Sequence, residues 1–110
     1  MSERGRPKKY RIIKQDPKIS QFSPRGKPGR PDEVNLSIDE YEAIRLFDYT
    51  GISQKEAAKS MNISQQTFSR VLKRAHKTVS DAIVNGKIIR IQGGTYVIST
   101  RKNTQPESKS

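Results

Sequence analysis

The sequence predicts a mainly α fold: a three-helix helix-turn-helix domain with a C-terminal β-hairpin and a basic, largely irregular N-terminal arm. Three observations predict it. Residues 53–72 hold two short amphipathic segments, each opened by a serine, around an Asn-Ile-Ser corner. Apolar residues recur with helical spacing through 37–50 and 64–85. Residues 88–98 carry two β-rich runs on either side of Gly93-Gly94. The expected divisions are an arm over 1–33, the helix-turn-helix domain with its hairpin over 34–99, and a polar, disordered tail over 100–110.

The arm is rich in Pro, Gly and basic residues. Arg4-Gly5-Arg6-Pro7-Lys8-Lys9 resembles the core of an AT-hook, in which Gly seats the backbone deep in a narrow minor groove and Arg enters its negative potential. Arg25 and Lys27, in Pro24-Arg25-Gly26-Lys27-Pro28, echo it. A flexible basic arm making phosphate contacts without sequence reading is the favoured account of both segments. Residues 10–13 have strand composition. Ile19 and Phe22, the other large apolar residues here, are expected to pin the arm to the domain.

The first helix is expected over 37–50. Ser37 and Glu40 form a capping box, and Asp39 and Glu40 suit the positive helix start. Ile38, Tyr41, Ile44 and Phe47 repeat at three-residue spacing, and Gly51 stops the helix. Asp39, Glu40 and Glu42 read as a solvated acidic face, not as a catalytic or metal cluster.

The second helix is expected over 53–60, with Ser53 as its cap and Glu56 at the capping-box position. Ala57 and Met61 point inward, and small Ala58 permits close helix approach. Asn62 tolerates the left-handed conformation such a turn needs. Ile63 plugs the corner and Ser64 caps the third helix. That helix, over 64–85, has an inward stripe of Phe68, Val71, Leu72 and Ala75, continued by Val79, Ala82 and Ile83. The continuation calls for cover from the hairpin, the arm or a second subunit. Its outward face carries Gln65, Gln66, Ser69, Arg70, Lys73, Arg74 and Lys77. Amides read adenine and guanidinium groups read guanine in the major groove, while Lys, Arg and hydroxyls hold phosphates. His76, beside the stripe, is expected at the surface or its boundary. After Gly86, a Gly-Gly hairpin would put Ile89, Ile91, Tyr96 and Ile98 on one face.

Composition agrees with a polyanion partner. The net charge is +11 over 110 residues. Residues 1–30 hold ten basic and two acidic residues, 31–86 seven and eight, and 87–110 five and one. The positive charge therefore sits at the two ends. There is no cysteine and one histidine, so no disulfide framework or zinc site is expected. No cofactor, metal or enzymatic activity is expected, and no membrane partner, since no apolar run approaches ~20 residues. The expected location is the cytoplasm, at the nucleoid.

Five blocks carry a family likeness: Phe22-Ser23-Pro24-Arg25-Gly26-Lys27-Pro28; Asp39-Glu40 with Glu42-Ala43-Ile44-Arg45-Leu46; Gln54-Lys55-Glu56-Ala57-Ala58; Ser64-Gln65-Gln66-Thr67-Phe68; and Gly86-Lys87 with Gly93-Gly94. In that order they resemble the uncharacterised protein family 0251 of small predicted DNA-binding proteins, over roughly residues 4–97. Asn62 departs from the commoner Gly of that turn. The helix-turn-helix is also similar to region four of sigma factors, over about 36–84. The resemblance implies a DNA-binding domain with a role in transcription. It implies base contacts from Gln65, Gln66, Ser69 and Arg70, and phosphate contacts from Lys55, Lys73, Arg74 and Lys77, joined by Ser64 at the helix start. The expectation is a sequence-specific double-stranded-DNA-binding protein that regulates transcription, with a homodimer as a plausible assembly. The rivals are an RNA-binding module, weakened by the lack of aromatics on the outward face, and a module docking on the transcription machinery.

Overall fold

A computed structural model describes residues 10–26 and 28–99. In chain order these form β1 (Arg11–Ile13), β2 (Gln21–Phe22), β3 (Glu33–Leu36), α1 (Ile38–Ile44), a π-helical turn (Arg45–Tyr49), α2 (Gln54–Ser60), α3 (Gln65–Asn85), β4 (Ile88–Ile91) and β5 (Tyr96–Ile98). It is a mixed α/β arrangement in which helices dominate.

Each α-helix starts on a serine. Ser37 accepts the Glu40 amide at 3.3 Å while the Glu40 carboxylate accepts the Ser37 amide at 3.0 Å, closing the capping box. The Ser53 hydroxyl accepts from the Glu56 amide at 3.1 Å, and the Ser64 hydroxyl from the Thr67 amide at 3.0 Å. These bonds satisfy amides that a helix start leaves without partners. Gly86 closes α3 in the left-handed region, at φ 64°.

The core gathers on Phe68 of α3, which is fully buried with Val71 and Ala75 against Ala57 and Met61 of α2 and Ala43 and Leu46 of the α1 region. Strand residues Ile13, Leu36 and Ile91 close it from the sheet side. The stripe continuing along α3 is only partly covered. Ala82 is buried and Val79 packs on the core, but Ile83 is 74% exposed, as is most of Val84. The cleft beside them is lined by Phe22, Pro24, Ala82 and Ile89.

Three expectations are corrected. The C-terminal hairpin does not form. β4 is the middle strand of a three-stranded sheet, antiparallel to β2 and parallel to β3, with Val34 opposite Ile89. Both of its edges are occupied, so β5 cannot add to it. β5 pairs instead in parallel with β1, with Ile12 opposite Val97. The Gly93-Gly94 stretch passes the start of α1, where the Gly93 carbonyl accepts the Ile38 amide at 2.9 Å. The strand composition of residues 10–13 is realised, but in this second sheet.

Ile19 and Phe22 do not pin the arm segment; both are more than half exposed. Ile13 does so, fully buried, helped by the Ile12 amide donating to the Met61 carbonyl at 3.0 Å.

The acidic residues of α1 are not a solvated face. Glu42 has no exposed surface, and Asp39 and Glu40 are buried. Ile38, Glu42 and Leu46 stand four apart, so the helix places Glu42 in the inward stripe. Arg45 makes burial tolerable: its Nε and Nη2 donate to the two Glu42 oxygens at 2.8 and 2.9 Å. The Lys14 amide adds a third bond at 3.0 Å. The bond to Glu42 raises the already high Arg45 pKa further.

Candidate nucleic-acid interface

The outward face of α3 is positioned by the corner before it. Ala57 and Ala58 are buried and lack bulk, which lets α2 lie close to α3. Met61 ends α2, and Asn62 takes φ 60°, the sole non-glycine residue with positive φ among the described residues. The Asn62 amide donates to the Lys59 carbonyl at 3.1 Å and the Ile63 amide to the Ala58 carbonyl at 3.0 Å. The backbone groups of the corner are thus satisfied while the chain reverses into Ser64.

Beyond that cap, Gln65, Gln66, Ser69, Arg70, Lys73, Arg74 and Lys77 are all exposed. Lys55, Ser64 and Gln65 line a shallow groove with Lys59 and Asn62 at the corner. Arg70, Lys73, Arg74 and Lys77 line a second depression further along α3. The structure therefore groups Lys55 with Ser64 and Gln65, and Arg70 with Lys73, Arg74 and Lys77, while Gln66 and Ser69 line neither depression. Ser64 is less available than expected, because its hydroxyl donates to Thr67 Oγ1 at 2.9 Å while capping the helix. Arg25 is exposed but lines neither depression. Arg4, Arg6, Lys8, Lys9 and Lys27 lie outside the described residues.

Lys59 was not among the sequence candidates. It follows Lys55 by four residues, and that spacing on one helix face was the available signal.

Arg70, Lys73 and Lys77 pair with no acidic side chain among the described residues. Arg74 makes one long contact, from Nε to Glu40 Oε2 at 3.4 Å. His76 Nε2 lies 2.6 Å from Asp48 Oδ2, at the surface as expected. Further on, the cations among the described residues are paired. Lys87 bonds Asp81 at 3.0 Å, and Arg90 grips Glu33 at 2.8 and 3.1 Å. The Lys87 ammonium, with help from Asn85, holds the Asp81 carboxyl below the usual carboxylate range, and Arg90 does the same for Glu33. Unpaired positive charge on α3 is thus confined to its first two-thirds.

Among the described residues no group of three or more His, Asp or Glu side chains could hold a metal ion, and no helix is long and apolar enough to cross a membrane.

Fold and surface define a small mixed α/β unit whose longest helix presents an exposed cationic and amide-bearing face. The chain belongs to the family described as "Protein of unknown function DUF134", whose family model matches residues 1–99. It is 50% identical over 94 residues to a UPF0251 protein of Prosthecochloris aestuarii, covering 84% of this chain and 61% of that protein. A UPF0251 protein of Caldicellulosiruptor bescii is 48% identical over 99 residues, covering 90% of this chain and 69% of its own. One from Methanococcus vannielii is 48% identical over 96 residues, covering 86% and 74%. The chain thus spans about three-fifths to three-quarters of the length of these relatives. No solved structure matches it.

Proposed function

We propose that this chain is a sequence-specific double-stranded-DNA-binding protein that regulates transcription. The α2–corner–α3 unit acts as the helix-turn-helix, and α3 enters the major groove. Gln65, Gln66, Ser69 and Arg70 read base edges from the first turns of that helix. Lys55, Lys59, Lys73, Arg74 and Lys77 hold phosphates on either side. The basic arm adds backbone or minor-groove contacts.

The observation that carries the reading is the α3 face itself. Three unpaired cations, two glutamines and a serine share the exposed side of one long, capped helix. Among the described residues after that helix, Lys87 and Arg90 are paired with carboxylates. Under this reading the protein works at the nucleoid, as a homodimer on paired half-sites or beside the transcription machinery.

Selection from a random duplex library, at near-physiological salt and with the full chain, tests the proposal. A defined motif is expected. Two copies about 34–36 Å apart along the duplex would identify a dimer. Enrichment for A·T content alone would assign binding to the arm, and no enrichment would remove DNA as the partner.

A further inference from the structure

We infer that Glu40 is a positioning residue: it holds the Arg74 guanidinium ready for a backbone phosphate, so that a buried carboxylate of α1 fixes one cation on the face of α3. The inference rests on the DNA-binding reading proposed above.

Three carboxylates stand in the first two turns of α1, and each meets a different basic side chain. Asp39 lies 3.5 Å from Arg11 of β1, and Glu42 binds Arg45. Only the partner of Glu40 belongs to the exposed cationic face. The two Glu40 oxygens have separate tasks. Oε1 accepts the Ser37 amide at 3.0 Å and closes the cap of α1. Oε2 accepts from Arg74 Nε at 3.4 Å. Glu40 is thereby held by its own helix, with a side chain only 11% exposed.

Arg74 is the reverse. Its side chain is 63% exposed, and its terminal nitrogens bond no described residue. The guanidinium is gripped at its inner nitrogen, and the fork that suits a phosphate is left free. A long, exposed contact of this kind adds little to stability. What it does is remove rotamer freedom from a long side chain before any ligand arrives. Among the described residues, no acidic side chain holds Arg70, Lys73 or Lys77 in this way.

The test is Glu40→Gln in the full chain, assayed on a mixed-sequence duplex. Glutamine also closes a capping box, so the thermal midpoint stays near that of the wild type. Its single carbonyl is taken by the Ser37 amide, leaving no acceptor for Arg74. Affinity is expected to fall about three- to tenfold, the cost of ordering one long side chain on binding. In an Arg74→Ala background the same substitution is expected to change nothing. Without DNA, the Arg74 Nε–H resonance should exchange slowly in the wild type and rapidly in Glu40→Gln.

Equal or tighter binding by Glu40→Gln would overturn the inference, because Glu40 would then be a charge that competes with phosphate. An equal loss in the Arg74→Ala background would also overturn it. If the wild type itself binds no duplex, the DNA reading fails and takes the inference with it. The two failures are therefore distinct.

Discussion

Arg70 stands one turn into the exposed face of α3, with no acidic partner among the described residues. A guanidinium there can take a guanine edge in bidentate fashion. Arg70→Ala is expected to cost about 1–3 kcal/mol of binding and to relax preference at one base pair only. Anisotropy titrations over single-base variants of the selected site measure both, and an equal loss on every sequence would reassign Arg70 to phosphate. At the same scale, Glu42 depends on Arg45. Arg45→Ala leaves a carboxylate with no exposed surface and only the Lys14 amide beside it. Urea unfolding should register a loss of about 3–5 kcal/mol, the usual result of stranding one member of a buried pair; a loss below about 1 kcal/mol would mean that solvent reaches the site. The sequence held the signal for this pair, since Glu42 falls midway between Ile38 and Leu46 in a four-residue series. Charge alone argued for solvent, and the three-residue spacing of Ile38, Tyr41, Ile44 and Phe47 drew attention to a neighbouring stripe. The exposed site residues were easier to place, because a helix with one strong apolar face assigns the opposite face by default.

Helices proved legible because their signals are local. Ser37, Ser53 and Ser64 cap where a serine before an apolar-periodic run should cap, and Asn62 turns where the run breaks. Strand partners were not legible. Alternation marks a strand without naming its neighbour, and both parallel pairings here join segments far apart in sequence, such as β3 with β4 and β1 with β5. Gly93-Gly94 resembled a hairpin turn for sound local reasons, yet its use is close approach to α1. A Cβ on Gly94 would lie 2.5 Å from Asp39 Oδ1, and Gly94 sits at φ 102°. Gly93, at φ 80°, has open space around it. Gly93→Ala should therefore cost only the conformational penalty of about 1–2 kcal/mol, and Gly94→Ala distinctly more. Thermal or urea unfolding of the two variants checks the order, and equal losses would show that α1 yields to the added methyl group.

Across the whole molecule, positive charge is divided between the ends of the chain and one helix face. Removing residues 2–9 deletes four basic residues and one acidic one, and stops short of β1. Binding should weaken on every duplex, and the dependence of affinity on salt should flatten, because fewer counterions are released. An unchanged salt slope would take the arm out of the interface. The central claim concerns α3 and is tested most directly by mapping. Amide shifts of the isotope-labelled full chain would be followed as a mixed-sequence duplex of about two helical turns is added at low salt. The account predicts that perturbations concentrate from Ser64 to Lys77, with Lys55 and Lys59 at the rim. Perturbations confined to the sheets or to Ile83 and Val84, or none at all, would contradict it.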